Sequence, residues 1–532
     1  MEKLENFIVI TADDLINRRK DIQGIPGNPD TFTVFMESDC ACPTDDFVLL
    51  SDSLVRDKPL LFEDDCACPT EGVVVDHQSS IDTGGQYIMP PIHIDKINEK
   101  FHLAFNPLSR VGVVALNHPT MKLLQAFKQP NTLADGATSA SHQPDALSTA
   151  RRLAELRLLQ PVESKLQPSL NLPKTLTVWL HLTNECNLRC DYCYLHKTHE
   201  GMTLERGKQA VDAVFRSALA QSFRQVKLKY AGGESTLEFS LILQLHDYAQ
   251  EQADKFNLGL IGVVLSNGIG FGEYKIEALH QRGIRLSISL DGIGEYQDVQ
   301  RKFQNGHGSF TLVERSLDRL VQQNFKPSIT VTVSQRNAKG LPQVIEYLLE
   351  RELPFTINFY RENEYSASFE DLAYQDEQMI LAMKKAFTKI ENNLPPFSLL
   401  GAITDRARLD APHHQPCGVG QSYMVIDQNG NVAKCHMEIE RKITDISIAD
   451  PLKVLQLDTI GIQNHSVEEK EGCRTCEWRY SCSGGCPALT YRVTGRYDVK
   501  SPNCRIYKAL FPEVLRLEGL RLLKYMGSSE TV

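Results

Sequence analysis

Three cysteines stand close together in the segment "HLTNECNLRCDYCYLH", in the spacing C-x3-C-x2-C. They are Cys186, Cys190 and Cys193. Structural zinc takes four ligands, and a cubane iron–sulfur cluster has four irons that four thiolates normally hold. Three thiols therefore predict a cluster whose fourth iron is open to a ligand from outside the protein. The alternative is a zinc or inert cluster site, which would need a fourth ligand that this segment lacks.

The other cysteines fall into two groups. Seven lie near the end of the chain, where "CRTCEWRYSCSGGC" has the spacing C-x2-C-x5-C-x3-C; they are Cys417, Cys435, Cys473, Cys476, Cys482, Cys486 and Cys504. Four lie near its beginning, as the pairs Cys40 and Cys42, and Cys66 and Cys68. A chain of this size in a reducing compartment is not expected to depend on disulfides, so metal or redox chemistry is the better interpretation.

The composition indicates an ordinary globular protein of several domains. A chain of 532 residues is too long for one core, so about two to four domains are expected. Its 42% hydrophobic and 23% charged content is typical of globular domains, and its net charge of −10 offers no basic surface for nucleic acid or an anionic membrane. The sequence has no apolar run long enough to span a bilayer, and its acidic first residues do not resemble a signal peptide. We therefore expect a cytoplasmic protein with neither nucleic acid nor membrane as a partner.

Six short apolar strands alternate with amphipathic helices from about residue 175. The strand segments are "LTVWLHLT", "QVKLKYAG", "IGVVLSN", "LSISLDG", "SITVTVS" and "FTINFYR". This alternation predicts an α/β fold, with a partial (β/α)6 TIM-like barrel over residues 170–395. In such a sheet the chemistry lies at the C-terminal ends of the strands. The cysteine triplet directly follows the first strand, where a catalytic loop is expected.

Smaller regions flank the predicted barrel. Residues 86–165 are expected to form a small α/β domain, because "YIMPPIHIDKINEKFHLAFN" alternates like strands and "HPTMKLLQAFKQ" has a helical period. Residues 400–515 are expected to form a loop-rich module, and residues 516–532 a C-terminal tail. Residues 1–85 are expected to be irregular. They contain a near-repeat, in which "FMESDCACPTDDFVLL" returns as "LFEDDCACPTEGVVV" with the cysteine pairs 26 residues apart.

The C-x3-C-x-aromatic-C motif after the first of six strands resembles the radical S-adenosylmethionine (radical SAM) superfamily. The resemblance implies that Cys186, Cys190 and Cys193 hold a [4Fe–4S] cluster and that S-adenosyl-L-methionine chelates its fourth iron. It also implies that an electron from this cluster cleaves the sulfonium to give a 5′-deoxyadenosyl radical. A reducing flavodoxin or ferredoxin would supply that electron.

Further residues match the superfamily's S-adenosylmethionine site. The resemblance places Tyr192 near the adenine, the "GGE" motif Gly232, Gly233 and Glu234 at the methionine amino group, Ser289 of "SISLDG" at a ribose hydroxyl, and Arg301 at the methionine carboxylate. Glycines after the second strand would allow close backbone approach to a ligand. The proline that usually follows the glutamate is Ser235 in this chain.

The C-terminal cysteines resemble the SPASM extension, which carries two auxiliary [4Fe–4S] clusters in radical enzymes that modify peptides or proteins. The resemblance implies an outer cluster on Cys473, Cys476, Cys482 and Cys504, an inner cluster on Cys417, Cys435 and Cys486, and three clusters in all. Sulfatase-maturing relatives have a fourth cysteine shortly after the first, whereas the stretch "GVGQSYMVI" offers none. We therefore expect the inner cluster to have an open iron. A pair of structural zinc sites is the alternative.

Two weaker likenesses concern substrate handling. Residues 86–165 resemble a winged-helix peptide-recognition domain, through Leu116 and Asn117 before the helix; such a domain takes a leader peptide as an added strand. The alternative is a packing domain without a ligand. His436 follows Cys435 where sulfatase-maturing relatives carry an acidic residue, and it is a candidate general base. The alternative is a surface histidine without a role.

These observations together predict a peptide maturase. The expected reaction is oxidative modification of a ribosomally made peptide, such as a thioether cross-link at cysteine. Two alternatives stay open: an anaerobic sulfatase-maturing enzyme that forms formylglycine, and a non-catalytic iron–sulfur regulatory protein. Residues 1–85 would be a fused substrate or its mimic, modified in cis. Alternatively, Cys40, Cys42, Cys66 and Cys68 are metal ligands, or neither substrate nor ligands.

Overall fold

The first part of the chain forms small antiparallel sheets. The computed structural model describes residues 7–12, 34–35, 45–47, 63–64, 81–82, 84–141, 145–164, 168 and 173–526. The first ten strands are β1 (Val9–Ile10), β2 (Val34–Phe35), β3 (Asp45–Phe47), β4 (Glu63–Asp64), β5 (Gln86–Ile88), β6 (His93–Lys96), β7 (Phe101–Phe105), β8 (Val113–Asn117), β9 (Asn131–Thr132) and β10 (Gln160–Pro161). They form sheets of order β1-β8-β7-β6, β10-β5-β9 and β2-β3-β4. Strand β1 therefore joins the expected small domain from within the segment that was predicted to be irregular.

Three helices pack on the small sheets: α1 (His118–Gln125), α2 (Leu133–Ala140) and α3 (Ala146–Glu155). Helix α1 begins directly after β8 because the Asn117 side chain caps it, accepting a hydrogen bond from the Thr120 N–H at 3.3 Å. Val114, Leu123 and Phe127 are buried in a core shared by the sheet and the helices. Strands and helices of residues 86–164 thus share one core, and the assignment of residues 86–165 as a winged-helix domain stays a prediction.

The six predicted strands all form, and they lie parallel in one sheet. They are β11 (Thr175–His181), β12 (Gln225–Ala231), β13 (Gly259–Ser266), β14 (Arg285–Ser289), β15 (Ser328–Val333) and β16 (Phe355–Phe359). The connecting helices are α4 (Leu204–Ala220), α5 (Phe239–Phe256), α6 (Glu273–Gln281), α7 (Glu295–Asp298), α8 (Phe310–Gln322), α9 (Leu341–Glu350) and α10 (Asp376–Asn392). Each strand pairs with the next in chain order, as successive right-handed βαβ units do. The α/β class is therefore confirmed. The described sheet does not close, since it ends at β16, and its assignment as a partial (β/α)6 barrel stays a prediction.

The two faces of this sheet bury different side chains. Val226 and Leu228 of β12 lie in the large core formed with the helices. Lys227 and Lys229 alternate with them, so they lie on the opposite face, and both are fully buried. Trp179 of β11 belongs to a second cluster on that opposite face, which we call the inner face. The inner face therefore combines aromatic and basic side chains.

The C-terminal region extends the same sheet. It consists of β17 (Tyr423–Ile426), β18 (Asn431–Ala433), β19 (Thr444–Asp445), α11 (Pro451–Leu457), α12 (Arg479–Cys482), α13 (Pro487–Thr494) and α14 (Cys504–Met526). Strand β17 pairs in parallel with β11, and β18 and β19 follow in antiparallel order. The cysteine-rich region, predicted as a separate module, is thus continuous with the central sheet.

Helix α14 extends far into the segment that was predicted as a tail. It runs to Met526, and Leu510, Val514 and Leu517 are fully buried in the large core. It packs against α10 and also against β7 and β8 of the small unit. Helix α14 therefore joins the small N-terminal unit to the helices that cover the central sheet. None of the described helices is long and apolar enough to cross a membrane.

Candidate active site

The first three cysteines lie on a loop that leaves the C-terminal end of β11. Backbone hydrogen bonds attach this loop to the segment after β14: Arg189 N–H donates to the Lys302 carbonyl at 2.7 Å, and Asp191 N–H to the Gln300 carbonyl at 3.1 Å. The Cys193 N–H donates to the Cys190 carbonyl at 3.1 Å. The loop is therefore fixed at the strand ends where catalytic residues are expected.

The three thiols are close enough to affect one another. Burial raises the pKa of Cys190 to about 12; Arg301 opposes this, and the thiolates of Cys193 and Cys186 add to it. Burial likewise raises the pKa of Cys186. Thiolate is the form that binds iron, so these thiols need a strong cationic partner in place of their protons. In the described part of the chain, no three His, Cys, Asp or Glu side chains are arranged to hold a single metal ion.

Lys197 adds a positive charge beside this set, and the sequence reasoning missed it. Burial would lower the pKa of Lys197, but the thiolates of Cys193 and Cys186 outweigh burial, so the pKa is raised. The only signal in the sequence was its position four residues after Cys193. Lys197 therefore stabilises negative charge at the triplet.

The "GGE" motif packs against the start of the cysteine loop. A Cβ atom on Gly232 would lie 2.6 Å from the Thr183 carbonyl oxygen, and one on Gly233 would lie 2.3 Å from the Glu185 carbonyl oxygen. The Gly233 and Glu234 N–H groups donate to those two carbonyls at 2.7 and 2.8 Å. A side chain at either position would therefore collide with the backbone of the cysteine loop. This close contact within the protein accounts for the glycines, whereas the sequence had suggested close approach of a ligand.

Glu234 joins the ends of β12 and β13. Its buried carboxylate accepts hydrogen bonds from Thr236 N–H at 3.0 Å, from Ser266 Oγ at 2.8 Å and from Asn267 N–H at 2.7 Å. Ser235, which replaces the usual proline, donates from its hydroxyl to the Leu265 carbonyl at 2.7 Å. The carboxylate of Glu234 is therefore a positioning group for the strand ends.

The carboxylate of Asp291 contacts both Tyr192 and Arg301. The Tyr192 hydroxyl donates to Asp291 Oδ2 at 2.6 Å, and Arg301 forms an ion pair with the same carboxylate at 3.8 Å and a hydrogen bond to the Tyr192 oxygen. Burial, more than the Asp291 charge, raises the pKa of Tyr192 well above its usual value, so Tyr192 remains a donor. Ser289 is buried at the end of β14, two residues before Asp291. Asp291 stood in the quoted motif "SISLDG", but only its serine was selected from the sequence.

Three further cysteines line one cavity. Cys417, Cys435 and Cys486 share its wall with Arg406, His436 and Ile462. Burial raises the pKa of Cys435 well above its usual value, and the thiolates of Cys486 and Cys417 add to this. The residues expected to hold the inner cluster are therefore brought together, although they lie up to 69 positions apart in the chain.

His436 is buried in that wall, with 2% of its surface exposed, so the alternative of a surface histidine is wrong. Its ring stacks on Trp179, with centroids 4.5 Å apart and an angle of 14° between the planes. Tyr194, the neighbour of Cys193, meets the same ring edge-on at 5.3 Å, and the Tyr423 hydroxyl lies 3.2 Å from its Nδ1. His436 thus lies between the first cysteine loop and the cavity of the second three-thiol set.

The remaining four cysteines form a third set. Burial raises the pKa of Cys482 to about 12, and the thiolates of its set partners add to this; those partners are Cys473, Cys504 and Cys476. The buried Lys470, also missed from the sequence, donates to the Ser483 carbonyl at 2.9 Å. Burial lowers the pKa of Lys470, whereas thiolates of both the second and third sets act to raise it. Lys470 therefore lies between these two sets. Cys40, Cys42, Cys66 and Cys68 fall outside the described residues.

The central region of the chain matches a known protein family. Residues 180–348 match the family model described as the Radical SAM superfamily. The chain contains a radical SAM domain. Such a domain implies a [4Fe–4S] cluster and S-adenosylmethionine, and three thiols on the loop after β11 are the type of donor set that holds an iron–sulfur cluster.

Comparison with individual proteins gives matches of different lengths, some of which extend beyond residues 180–348. The chain is 30% identical over 171 residues to an uncharacterised protein, MJ0907, of Methanocaldococcus jannaschii, covering 32% of this chain and 57% of that relative. It is 22% identical over 329 residues to a cysteine-type anaerobic sulfatase-maturating enzyme of Clostridium perfringens, covering 57% and 85% of the two chains. The solved structure of native anSMEcpe with bound AdoMet and Cp18Cys peptide matches with a TM-score of 0.54 at 20% identity, over 65% of this chain and 99% of that one. At this identity the structural match shows a shared fold only.

Proposed function

We propose that this protein reductively cleaves S-adenosylmethionine and oxidatively modifies a ribosomally made peptide, for example by a thioether cross-link at cysteine. The observation that carries the proposal is the position of His436 between two three-thiol sets, against Trp179 and Tyr194 on one side and in the wall of the second cavity on the other. The anSMEcpe structure contains both AdoMet and a peptide. A peptide substrate is therefore consistent with a chain that shares this fold.

In this proposal the first cysteine set holds the radical SAM cluster. S-Adenosylmethionine would be held by Tyr192, Ser289 and Arg301 together with the "GGE" motif of Gly232, Gly233 and Glu234, in which the Glu234 carboxylate positions the strand ends. When bound, the two groups supply a 5′-deoxyadenosyl radical. Asp291 keeps Arg301 and Tyr192 in place, and Lys197 offsets the charge of the thiolates. A reducing flavodoxin or ferredoxin supplies the electron.

The other two sets would hold auxiliary clusters, to a total of three, as in a SPASM module. Cys473, Cys476, Cys482 and Cys504 make a full ligand set, whereas Cys417, Cys435 and Cys486 leave one ligand to be supplied. These clusters would provide an electron acceptor.

To form a thioether, a cysteine S–H bond and a C–H bond break and a C–S bond forms. The peptide then loses one hydrogen atom, which goes to the deoxyadenosyl carbon, and one proton with an electron; His436 takes the proton.

Sulfatase maturation is the second candidate, and the name of the Clostridium perfringens relative favours it. Such an enzyme would oxidise a serine or cysteine of a sulfatase to formylglycine. The histidine at position 436, where those relatives carry an acidic residue, argues against this reaction. A peptide with a sulfatase cysteine motif would separate the two, because only the second candidate converts it to the aldehyde.

The test uses anaerobically reconstituted protein with reductant and S-adenosylmethionine. We expect 5′-deoxyadenosine and a peptide product that is lighter by two hydrogens, both read by mass spectrometry. The variant in which Cys186, Cys190 and Cys193 are all alanine should form neither. Formation of 5′-deoxyadenosine by that variant would refute the assignment, and a wild-type protein that never forms it would revive the non-catalytic regulatory protein.

A further inference from the structure

Strand β6 of the small unit contacts the segment between two cysteines of the third set. The His93 ring stacks on Trp478, with centroids 3.8 Å apart and an angle of 9° between the planes. In the chain, Trp478 lies between Cys476 and Cys482. Its carbonyl accepts a hydrogen bond from the Cys482 N–H at 3.3 Å. The ring that His93 covers therefore belongs to a residue bonded directly to the backbone of a thiol ligand.

Trp478 is buried among rings from both parts of the molecule. Phe105 of β7 lies 6.4 Å from it between centroids, and Phe511 of α14 lies 4.9 Å from it. Helix α12, which ends at Cys482, begins directly after Trp478, and helix α14 begins at Cys504. The Trp478 ring thus connects the small unit to two helices that carry thiols of the third set.

A loop of the small unit contacts another thiol of the same set. Leu108, between β7 and β8, is half-buried and packs against a cluster formed by Val467, Cys473 and Tyr480. All three members of that cluster are buried. The Leu108 contact and the His93 stack come from different parts of the small unit. The unit therefore covers the third set at two separate points.

The first and second sets have different neighbours. Cys193, Cys417 and Cys435 belong to an apolar cluster whose described members all lie between residues 179 and 497. The residues that line the cavity of the second set lie between 406 and 488. These neighbours come from the central sheet and the C-terminal region. In the part of the chain that the structure describes, the packing of the small unit is thus directed to the third set.

The surroundings of the third set are the main means by which the protein can adjust a cluster there. Four thiols complete the ligands of a cubane cluster, so no ligand is left to vary. Reduction adds negative charge to a cluster, and water stabilises that charge better than an apolar shell does. An apolar cover therefore lowers the reduction potential. It also slows the access of chelators to the irons.

We propose that the small N-terminal unit is a cover for the cluster of the third set, with His93 and Leu108 as positioning residues that exclude water from it. The inference rests on the proposed function, which assigns a [4Fe–4S] cluster to Cys473, Cys476, Cys482 and Cys504. His93 holds the Trp478 ring against the segment that carries two of these thiols, and Leu108 packs beside a third. This role is separate from peptide binding by the unit.

Release of iron to a chelator measures the cover directly. Reconstituted full-length protein is reduced and mixed anaerobically with bathophenanthroline disulfonate, and the coloured iron complex is followed over time. We expect His93→Ala and Leu108→Ala each to speed the release of about 4 of about 12 irons, by about tenfold. Release of the other irons should be nearly unchanged. The variant with alanine at all four cysteines of the third set should lack the accelerated phase, which assigns it. Wild-type release rates in both variants would overturn the proposal.

Matched variants separate the cover from the general stability of the small unit. Leu147→Ala makes the same change at another half-buried leucine, which packs in the unit's own core. His102→Ala removes a ring of β7 that meets another histidine of the unit. Both should release iron at the wild-type rate. His93→Phe keeps a ring against Trp478 and should restore protection. If the two control variants speed release as much as His93→Ala and Leu108→Ala do, the cover is overturned.

The reduction potential gives a readout that a merely structural contact would not move. Redox titration followed by paramagnetic resonance compares the clusters within one sample. At the wild-type midpoint of the third cluster, we expect the ratio of reduced to oxidised cluster to rise about threefold in His93→Ala and in Leu108→Ala. The ratio for the first cluster should stay the same. A fall in the ratio, or an equal rise at all three clusters, would overturn the role of the small unit.

The proposed function and the cover fail in different ways. If alanine at the four cysteines of the third set removes no iron, the cluster assignment in the proposed function is wrong and the cover fails with it. If wild-type protein forms no 5′-deoxyadenosine but iron release still depends on His93 and Leu108, the proposed reaction alone is wrong. If the third set holds iron and both variants keep the wild-type release rate and potential, the cover alone is wrong.

Discussion

The two three-thiol sets have the same number of ligands but different surroundings. The first set lies beside Lys197 and near a buried network of Tyr192, Asp291 and Arg301. The second lies in a cavity with the apolar walls Val419 and Ile462, beside His436 and Arg406. Polar strand ends suit a charged cofactor at the first set. Under the proposed function, the mainly apolar walls of the second cavity suit a peptide side chain. The neighbours of a site, more than its ligand count, therefore indicate which external group completes it.

Removing each set in turn gives the largest expected contrast. The variant with alanine at Cys186, Cys190 and Cys193 and the variant with alanine at Cys417, Cys435 and Cys486 should each lose about 4 of about 12 irons. Only the first should lose all 5′-deoxyadenosine formation. The second should still form it but yield no modified peptide. Loss of S-adenosylmethionine cleavage in both variants would show that the two sets do not have separate roles.

Replacing the histidine beside the second set should affect only the later step. We expect His436→Gln to lower the rate of peptide modification about 100-fold, in the range of a lost general base, with 5′-deoxyadenosine formation nearly unchanged. His414→Gln is the matched control, because that ring bonds Ser466 and lies outside the cavity lining. Rates of both products are measured in one assay. A parallel loss of both products in His436→Gln would contradict a role confined to the second set.

Disturbing the polar network beside the first set should have a smaller effect. This effect should fall on the use of S-adenosylmethionine, whereas His436→Gln should affect peptide modification. Asp291→Asn removes the charge that pairs with Arg301, and we expect about a 10- to 100-fold loss in kcat/KM for S-adenosylmethionine, mainly through KM. Asp247→Asn is the control, since that half-exposed carboxylate pairs with Arg282 on the surface. If KM for S-adenosylmethionine is unchanged in Asp291→Asn, Arg301 does not bind this cofactor.

The smallest expected effects concern the two lysines. Lys197→Met removes a cation beside the first set and should lower the reduction potential of that cluster alone, by the equivalent of about 1–2 kcal/mol. Lys470→Met should lower the potentials of the second and third clusters and leave the first unchanged, because Lys470 faces thiols of both those sets. Redox titration followed by paramagnetic resonance measures all three. If the two variants shift the same cluster potentials by the same amounts, neither lysine acts on a particular thiol set.

Local patterns in the sequence predicted more of this molecule than long-range contacts could. The six parallel strands follow from the alternation of apolar runs, and the first thiol set from its short cysteine spacing, both of which depend on neighbouring residues. The other two thiol sets were expected from a family resemblance, because their cysteines are widely spaced in the chain. The pairing of β17 with β11 could not be predicted, because it joins Thr177 to Tyr423 across 246 positions. The burial of His436 depends on that same pairing, which brings Trp179 and Tyr423 to its ring.

A short strand and several charged residues were also not predicted from the sequence. Strand β1 is two residues long, too short for a period to be read, and its apolar contacts lie with distant parts of the chain. Asp291, Lys197 and Lys470 are charged residues whose surroundings the sequence does not reveal. Each lies next to groups of opposite charge or next to thiols, so its role becomes visible only when those partners are in place.

The pairing of β17 with β11 also protects the edge of the central sheet. Six of the seven residues of β11, "TLTVWLH", are buried, and the strand is rich in the β-branched and aromatic residues that favour intermolecular pairing. A shortened protein that ended before the C-terminal strands would expose this strand as an unpaired apolar edge. We expect such a shortened protein to aggregate during expression, because the C-terminal region both carries thiols and covers this edge.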